Sequence, residues 1–367
     1  MAMRRSSIPL LAALFAVAGA TGATAQSLTD SLTAGKAELR SAGALTFGPD
    51  GVLFVGDGLG AAVFAFDTRD TRMAAGAAEV DGINAKIAAL LGTAPDQILI
   101  NDVAVNPASH RAYLTVSRGR GPDATPVIVR TTAGGGVEIL SLDNIRHARA
   151  ALPNAPAADQ TNRRGQPVRL DAITDIAYVS GNVVVAGLSN EEFASNLRSI
   201  PFPFTNISRG TAIEIWHGSH GRFETQAPVR TFTSYRVRNE DVILASYTCT
   251  PLVVFRTAEL NDGAKVMGKT IAEMGSGNTP LDMLIYQKNG QNFILMSNTD
   301  LGVTKMTAEN LDRYDSITMP ITDTAGVPYE KLDLAGVQHL ARLDDGHALM
   351  LVAAADGAQS LKALPLP

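Results

Sequence analysis

Apolar runs of strand length recur along this chain, each set off from the next by a tight polar turn. Six stretches share the form of one run, a break rich in Gly, Asp, Asn or Ser, and a second run: "GVLFVGDGLGAAVFAFD" (51–67), "RAYLTVSRGRGPDATPVIVR" (111–130), "NVVVAGLSN" to "GTAIEIW" (182–216), "DVILASYTCTPLVVF" (241–255), "NFILMSNTDLGVTKM" (292–306) and "HALMLVAAADGAQSLKAL" (347–364). Upstream of each stands a further apolar run joined by a short Gly, Asn or Asp turn, as in "ALTFGPDG", "NDVAVNPASH" and "LDMLIYQKNG". These residue types tolerate the backbone angles that hairpin turns demand. Each unit is therefore a meander of at least three strands, and "GGVEILSLD", "VMGKTIAEMG" and "YDSITMP" are candidate fourth strands. Such repetition predicts an all-β fold, a six-bladed β-propeller of four-stranded antiparallel blades, with seven blades as the alternative. The last copy ends at "SLKALPLP", one strand short, and "GKAELRSAG" near the N-terminus is the expected closing strand. Helices are expected only as short pieces in top-face loops, the best candidate being "DGINAKIAALLG" with its helical apolar spacing and glycine stop.

The first residues read as an export signal. "MAMRRSS" is basic, "IPLLAALFAVAGA" is apolar but short for a bilayer span, and "ATA" before Gln26 has the small-x-small form of a cleavage site. Residues 1–25 are thus expected to be removed, leaving 26–367 as a single propeller domain in the periplasm or outside the cell. No other apolar segment approaches the ~20 residues that a span needs. Cys249 is the only cysteine, which excludes an internal disulfide. Acidic residues outnumber basic ones 36 to 31 and the chain has one tryptophan, so nucleic acid is not an expected partner. The expected partners are a small molecule or an exported protein, met by a monomer.

"FGPDGVLFVGD" and "TPLDMLIY" resemble the inner hairpins of NHL-type and gluconolactonase/paraoxonase-like six-bladed propellers, a resemblance of blade pattern spread over most of residues 40–365. It implies a calcium ion in the central channel and a lactonase or esterase activity. Members of that group place a glutamate ligand at the start of one inner strand; this chain has Ala44 and Leu45 in blade one, which leaves a set of Asn and Asp.

In such a fold the innermost strand of each blade runs away from the top face and the second returns to it. Residues before first strands and after second strands then share the top face. Asn101, Asp102, Asp175 and Asp282 precede first strands, while Asp57, Ser117, Arg118, Asn190, Glu191, Glu192, Cys249, Asn298 and Asp300 follow second strands. Oxygen donors converging on one axis suit a hard cation such as Ca2+, so Asn101, Asp102, Asp175, Asn190, Asp282 and Asn298 are candidate metal ligands. Their alternative role is to bond local backbone at turns and strand edges. His339, at the start of an inner strand, and Glu191 are the candidate bases. Arg118, Glu192, Arg198 and Cys249 are candidate ligand contacts, and "NEEFASNLRSIPFPF" (190–204) reads as a lid over the channel. His217 and His220 in "WHGSHG" look like a metal pair, but the same scheme puts them between third and fourth strands, on the bottom face and away from Cys249.

Three functions fit these readings. The first is an exported binding or accessory protein whose top face holds a small ligand, a metal ion or a partner. The second, implied by the resemblance, is a hydrolase in which channel-bound calcium polarises a carbonyl and orients water. The third makes Cys249 a soft-metal ligand, for copper, or a redox thiol, with methionine or histidine supplied by a top loop. The chain has no G-x-S-x-G elbow and no phosphate-binding glycine fingerprint in a strand-to-helix setting.

Overall fold

The structure, a computed structural model, describes residues 27–367 apart from 75, 77, 122 and 163. The expected export signal lies outside the described residues. Among them, no helix is long and apolar enough to cross a membrane.

Six sheets form a six-bladed propeller, antiparallel except where Lys265–Met267 pairs parallel with Thr211–His217 in blade III. From the axis outwards, blade I is Leu45–Phe47, Val52–Asp57, Ala62–Asp67, Ile145–Ala151 and Thr33–Gly35, and blade II is Ile98–Val105, Ala112–Arg118, Thr125–Thr132 and Gly136–Ile139. Blade III is Asp175–Val179, Asn182–Leu188, Ser195–Pro201, Thr211–His217 and Arg222–Glu224. Blade IV is Thr231–Val237, Glu240–Ser246, Pro251–Arg256 and Lys269–Glu273, with Ala325–Gly326 on its edge. Blade V is Pro280–Lys288, Gln291–Asn298, Gly302–Thr307 and Tyr329–Leu332, and blade VI is Val337–Arg342, His347–Ala353 and Gln359–Pro365.

The blades do not follow one another around the ring in chain order. Inner-strand contacts run II, I, III, IV, V, VI and back to II. The chain leaves blade I after its third strand, builds all of blade II, and then returns to lay Ile145–Ala151 against Ala62–Asp67. Blade II is therefore an insertion seated between blades I and VI. Each of the six junctions has its own apolar core; Phe54 and Val63 face blade III, for example, while Leu53 and Phe64 face blade II. Because both faces of a central strand are packed, Val52–Asp57 is buried throughout instead of alternating between core and solvent.

Closure also differs from the sequence expectation. The "GKAELRSAG" segment does not complete blade VI: Thr33–Gly35 pairs with Ile145–His147 at the edge of blade I, and the backbone N–H groups of Arg40 and Ser41 donate to the Asp57 carboxylate. Blade VI keeps three strands, and its exposed edge is met by Val80, which exchanges N–H···O bonds with Leu361 (3.1 and 2.9 Å). The helix Ile83–Leu91 packs Ile83 and Ile87 into the same junction. Covering an edge strand in this way removes a template for pairing with another chain. "YDSITMP" is not the fourth strand of blade V either. It runs outside blade IV, where the Ile317 N–H donates to Thr270 O, and Tyr329–Leu332 takes the expected place.

Candidate functional site

Three features occupy the top face: a carboxylate ring at the axis, a histidine and cysteine cluster at the rim, and a cleft that shares Glu224 with that cluster.

The ring follows from the order of the blades. Asp102, Asp175 and Asp282 lie on blades II, III and V, which alternate with I, IV and VI around the axis. Each carboxylate does the same two things. Its Oδ1 accepts the N–H of the next residue (Val103, Ile176, Met283; 2.7 Å each), and its Oδ2 accepts the N–H of a neighbouring blade's inner strand (Leu45 at 2.9 Å, Phe232 at 2.7 Å, Leu340 at 2.9 Å). Three of the six junctions are tied in this manner. At the junction of blades VI and II, where the ring closes, His339 Nδ1 stands 3.4 Å from Asp102 Oδ1 and 3.7 Å from Asp282 Oδ2, ion-pair distances rather than formed hydrogen bonds. Burial opposes an imidazolium there, but the two carboxylates outweigh it and raise the His339 pKa to about 10. Burial, with Asp102 and Asp282 nearby, holds the Asp175 carboxyl well above its usual range. Burial likewise raises Asp282, against the pull of His339.

The other predicted metal ligands do not join this ring. Asn101 is the bulged residue beside Asp102, and its Nδ2 donates to Ala42 O and Ser117 Oγ. Asn298 is buried inside blade V, where its side chain bonds Met296 O, Gly302 O and Asn278 Nδ2. Asn190 is exposed on the loop after the second strand of blade III. Of the two candidate bases, His339 is held protonated, and Glu191 accepts from Asn154 Nδ2 (2.8 Å) and Arg209 Nη2 (2.6 Å). Burial would raise the Glu191 pKa, but these donors bring it below the usual range. Arg118 is exposed at the end of its strand, and Glu192 is exposed with only Lys265 at 3.4 Å.

The predicted lid is instead largely a strand. Ser195–Pro201 pairs along its whole length with Asn182–Leu188 and is the third strand of blade III. Its polar residues misled the pattern: Asn196 and Arg198 are both buried, and Arg198 Nη1 donates to the Asn154 side chain and to Arg209 O. Burial lowers the Arg198 pKa to about 10 despite Glu191 and Asp262.

That strand changes where the histidines go. With Ser195–Pro201 counted, Thr211–His217 is the fourth strand and ends on the top face, so the expectation that His217 and His220 lie on the bottom, apart from Cys249, is overturned. Ile213, Ile215 and His217 share the strand face that packs on blade IV. His217 therefore points at the turn between the second and third strands of blade IV, which carries Cys249. The Gly218–His220 turn is pinned from blade IV by Glu273, which accepts from Gly218 N (2.5 Å) and Ser219 Oγ (3.0 Å), and from outside by Ile321 N–H to Gly218 O (2.9 Å). His217 and His220 bring their Nδ1 atoms to the two oxygens of Glu224, at 2.8 and 2.7 Å. Burial works against the Glu224 carboxylate, but bonds from both histidines, the charge of His217 and a bond from Arg222 lower its pKa to about 2. The sequence signal that would have found this cluster is parity, since one strand more or less moves a turn to the opposite face.

The cleft, about 790 Å³, opens between blades III and IV. Leu188, Ala194 and Phe223 give it apolar wall, and Arg164, Arg222 and Arg230 bring positive charge. Arg230 Nη1 pairs with Asp171 Oδ1 at 3.1 Å while its Nε has no partner, and Arg222 pairs with Glu224 at 3.0 Å. Glu224 lines the cleft as well as holding the two histidines.

No protein-family model matches the chain, and no curated protein is similar to it in sequence. Among solved structures it is similar to the PQQ-bound aldose sugar dehydrogenase from Streptomyces coelicolor (11% identity, 91% of this chain and 96% of that one, TM-score 0.32). It is also similar to a glucose dehydrogenase-type putative oxidoreductase from Thermus thermophilus (13% identity, 91% and 100%, TM-score 0.32) and to YCF48 from Cyanidioschyzon merolae (11% identity, 91% and 88%, TM-score 0.33). At this level of superposition, the architecture rests on the strand pairing of the chain itself.

Proposed function

We propose that the protein is an exported binding protein that holds a small, oxygen-rich anion in the cleft between blades III and IV. The observation that carries this reading is the chemistry of the cleft. Its volume of about 790 Å³ suits a small molecule. Arg164, Arg222 and Arg230 offer forked donors to a carboxylate or phosphate, and Gln160, Asn162, Gln166 and Gln226 offer amides to hydroxyl groups. Arg230 has a donor to spare, and Arg164 makes no ion pair among the described residues. A hydroxy-carboxylate matches that mixture of forks, amides and one apolar wall.

Support for the calcium-dependent hydrolase is weaker. Calcium takes six to eight oxygen donors. The axial ring offers three carboxylates whose oxygens already accept backbone N–H groups, with an imidazolium in the gap. Neither candidate base is free to activate water.

Titration calorimetry of the mature protein with citrate, gluconate and galactarate tests the binding reading. At least one is expected to saturate a single site with a Kd below about 1 mM, and Arg164→Ala or Arg230→Ala to weaken it about tenfold or more. Absence of saturable binding across the panel, or binding untouched by both variants, overturns it. Fractionation and N-terminal sequencing of the mature chain test export.

A further inference from the structure

The rim cluster borders the anion cleft through Glu224, but His217, His220 and Cys249 lie outside the cleft lining and carry a metal-site inference on their own. The two oxygens of Glu224 each stand against a histidine Nδ1, at 2.8 Å for His217 and 2.7 Å for His220. With Nδ1 of each imidazole against that carboxylate, Nε2 is the nitrogen through which neutral His217 and His220 can bind an ion. His220 Nε2 lies 3.7 Å from Cys249 Sγ. His217, with 2% of its side chain exposed, has no partner at all for its Nε2. A buried nitrogen left without a partner is unfavourable unless something fills the space it faces. Here the space is bounded by the other two donors, since the ligand atoms of His217, His220 and Cys249 all lie within 4.8 Å of one another.

We propose that His217 Nε2, His220 Nε2 and Cys249 Sγ form a copper site, with Glu224 as the positioning residue behind both imidazoles. Bond lengths of about 2.0–2.1 Å to nitrogen and 2.3 Å to sulfur, at trigonal to tetrahedral angles, separate N from S by about 3.5–3.8 Å. The 3.7 Å between His220 and Cys249 falls in that range. A carboxylate on the far nitrogen of a ligating histidine fixes its tautomer and raises its basicity, and Glu224 serves two histidines at once. Closed structural zinc sites have four protein ligands, whereas this cluster has three among the described residues. Two imidazoles and one thiolate match the trigonal donor set of copper proteins, and an N/S site of given geometry prefers copper to zinc. Cys249 is itself held tightly: it is 9% exposed and its N–H donates to Asn278 O of blade V at 2.7 Å.

Anaerobic titration of the full mature chain with Cu(I), in competition with a chromophoric Cu(I) chelator, tests this directly. One equivalent is expected to bind, and zinc is expected to be displaced by it. Cys249→Ser and His220→Ala should each lower the affinity at least 100-fold, and Glu224→Gln about 10- to 100-fold. His220 is partly exposed, so its variant is expected to fold, and circular dichroism checks that. His339→Gln, which removes the axial imidazole, should keep the full equivalent. The proposal is overturned if the wild-type chain binds no stoichiometric Cu(I), if Cys249→Ser and His220→Ala bind as tightly as wild type, or if only His339→Gln loses the ion. Zinc held against equimolar copper would overturn the choice of metal. Anion binding in the cleft is measured separately, on metal-free protein, so either reading fails without the other.

Discussion

The axis and the rim of this propeller are built from the same groups, carboxylate and imidazole, arranged in opposite senses. At the axis the carboxylates face inwards, spend their oxygens on backbone N–H groups of neighbouring blades, and hold His339 between two of them. At the rim a single carboxylate stands behind two imidazoles and turns their free nitrogens towards a sulfur. At the axis every carboxylate already has backbone partners, and His339 Nδ1, which makes no hydrogen bond, faces two of those carboxylates. The rim arrangement leaves lone pairs unsatisfied and converging, which is what a binding centre requires. Composition alone does not separate the two; hydrogen-bond direction does.

The largest effect that would break this contrast is expected from Asp282→Ala. It removes the acceptor for the Leu340 and Met283 N–H groups and leaves His339 with Asp102 alone. Breaking one partner of a buried pair costs roughly 3–5 kcal/mol, and urea unfolding should show a loss of that size. Glu224→Gln at the rim should cost only about 1–2 kcal/mol, because an amide oxygen still accepts one histidine bond. Equal losses at the two sites would mean that the rim is as structural as the axis.

The blade repeat was legible because hairpin turns and strand-length apolar runs are local. The order of the blades was not, since seating blade II between I and VI depends on pairing Ile145–Ala151 with Ala62–Asp67, some eighty residues apart. The three aspartates could be placed from sequence because each stands at the top of an apolar inner run, although the strands take them in (Ile98–Val105, Asp175–Val179 and Pro280–Lys288) and their partners belong to other blades. Blade III shows where pattern reading fails. Ser195–Pro201 buries Asn196 and Arg198 against the carbonyl of Arg209, so a strand interior reads as a polar loop. That one omission inverted the face assigned to His217 and His220 and hid their approach to Cys249.

An intermediate effect is expected from pH, and its sign separates the axis from an ordinary surface. The folded His339 pKa, about 10, lies above the roughly 6.5 of an unfolded histidine. Its contribution to stability is therefore complete below about pH 6.5 and is lost as pH rises through about 10. The raised Asp175 carboxyl acts in the same direction, because burying its charge opposes folding once the pH exceeds its unfolded value. The urea midpoint should fall between pH 6.5 and 10, and His339→Gln should flatten that slope. A wild-type midpoint constant across this window would show that His339 does not carry the closing charge.

The smallest effect on stability, and the sharpest on the comparison, is expected from Cys249→Gly. Cys249 and Thr250 have φ of +65° and +52°, in the left-handed region that costs a non-glycine residue about 1–2 kcal/mol. Glycine occupies that region freely. Losing one small buried side chain and adding chain entropy offsets part of that relief, so metal-free Cys249→Gly should match or exceed wild type within about 1 kcal/mol. Copper binding should nevertheless be lost. A fall of 2 kcal/mol or more would make the thiol a packing element of the turn. The expected result would instead mean that this turn keeps a sulfur where its backbone favours glycine, with the sulfur's use lying in what it can hold beside His217 and His220.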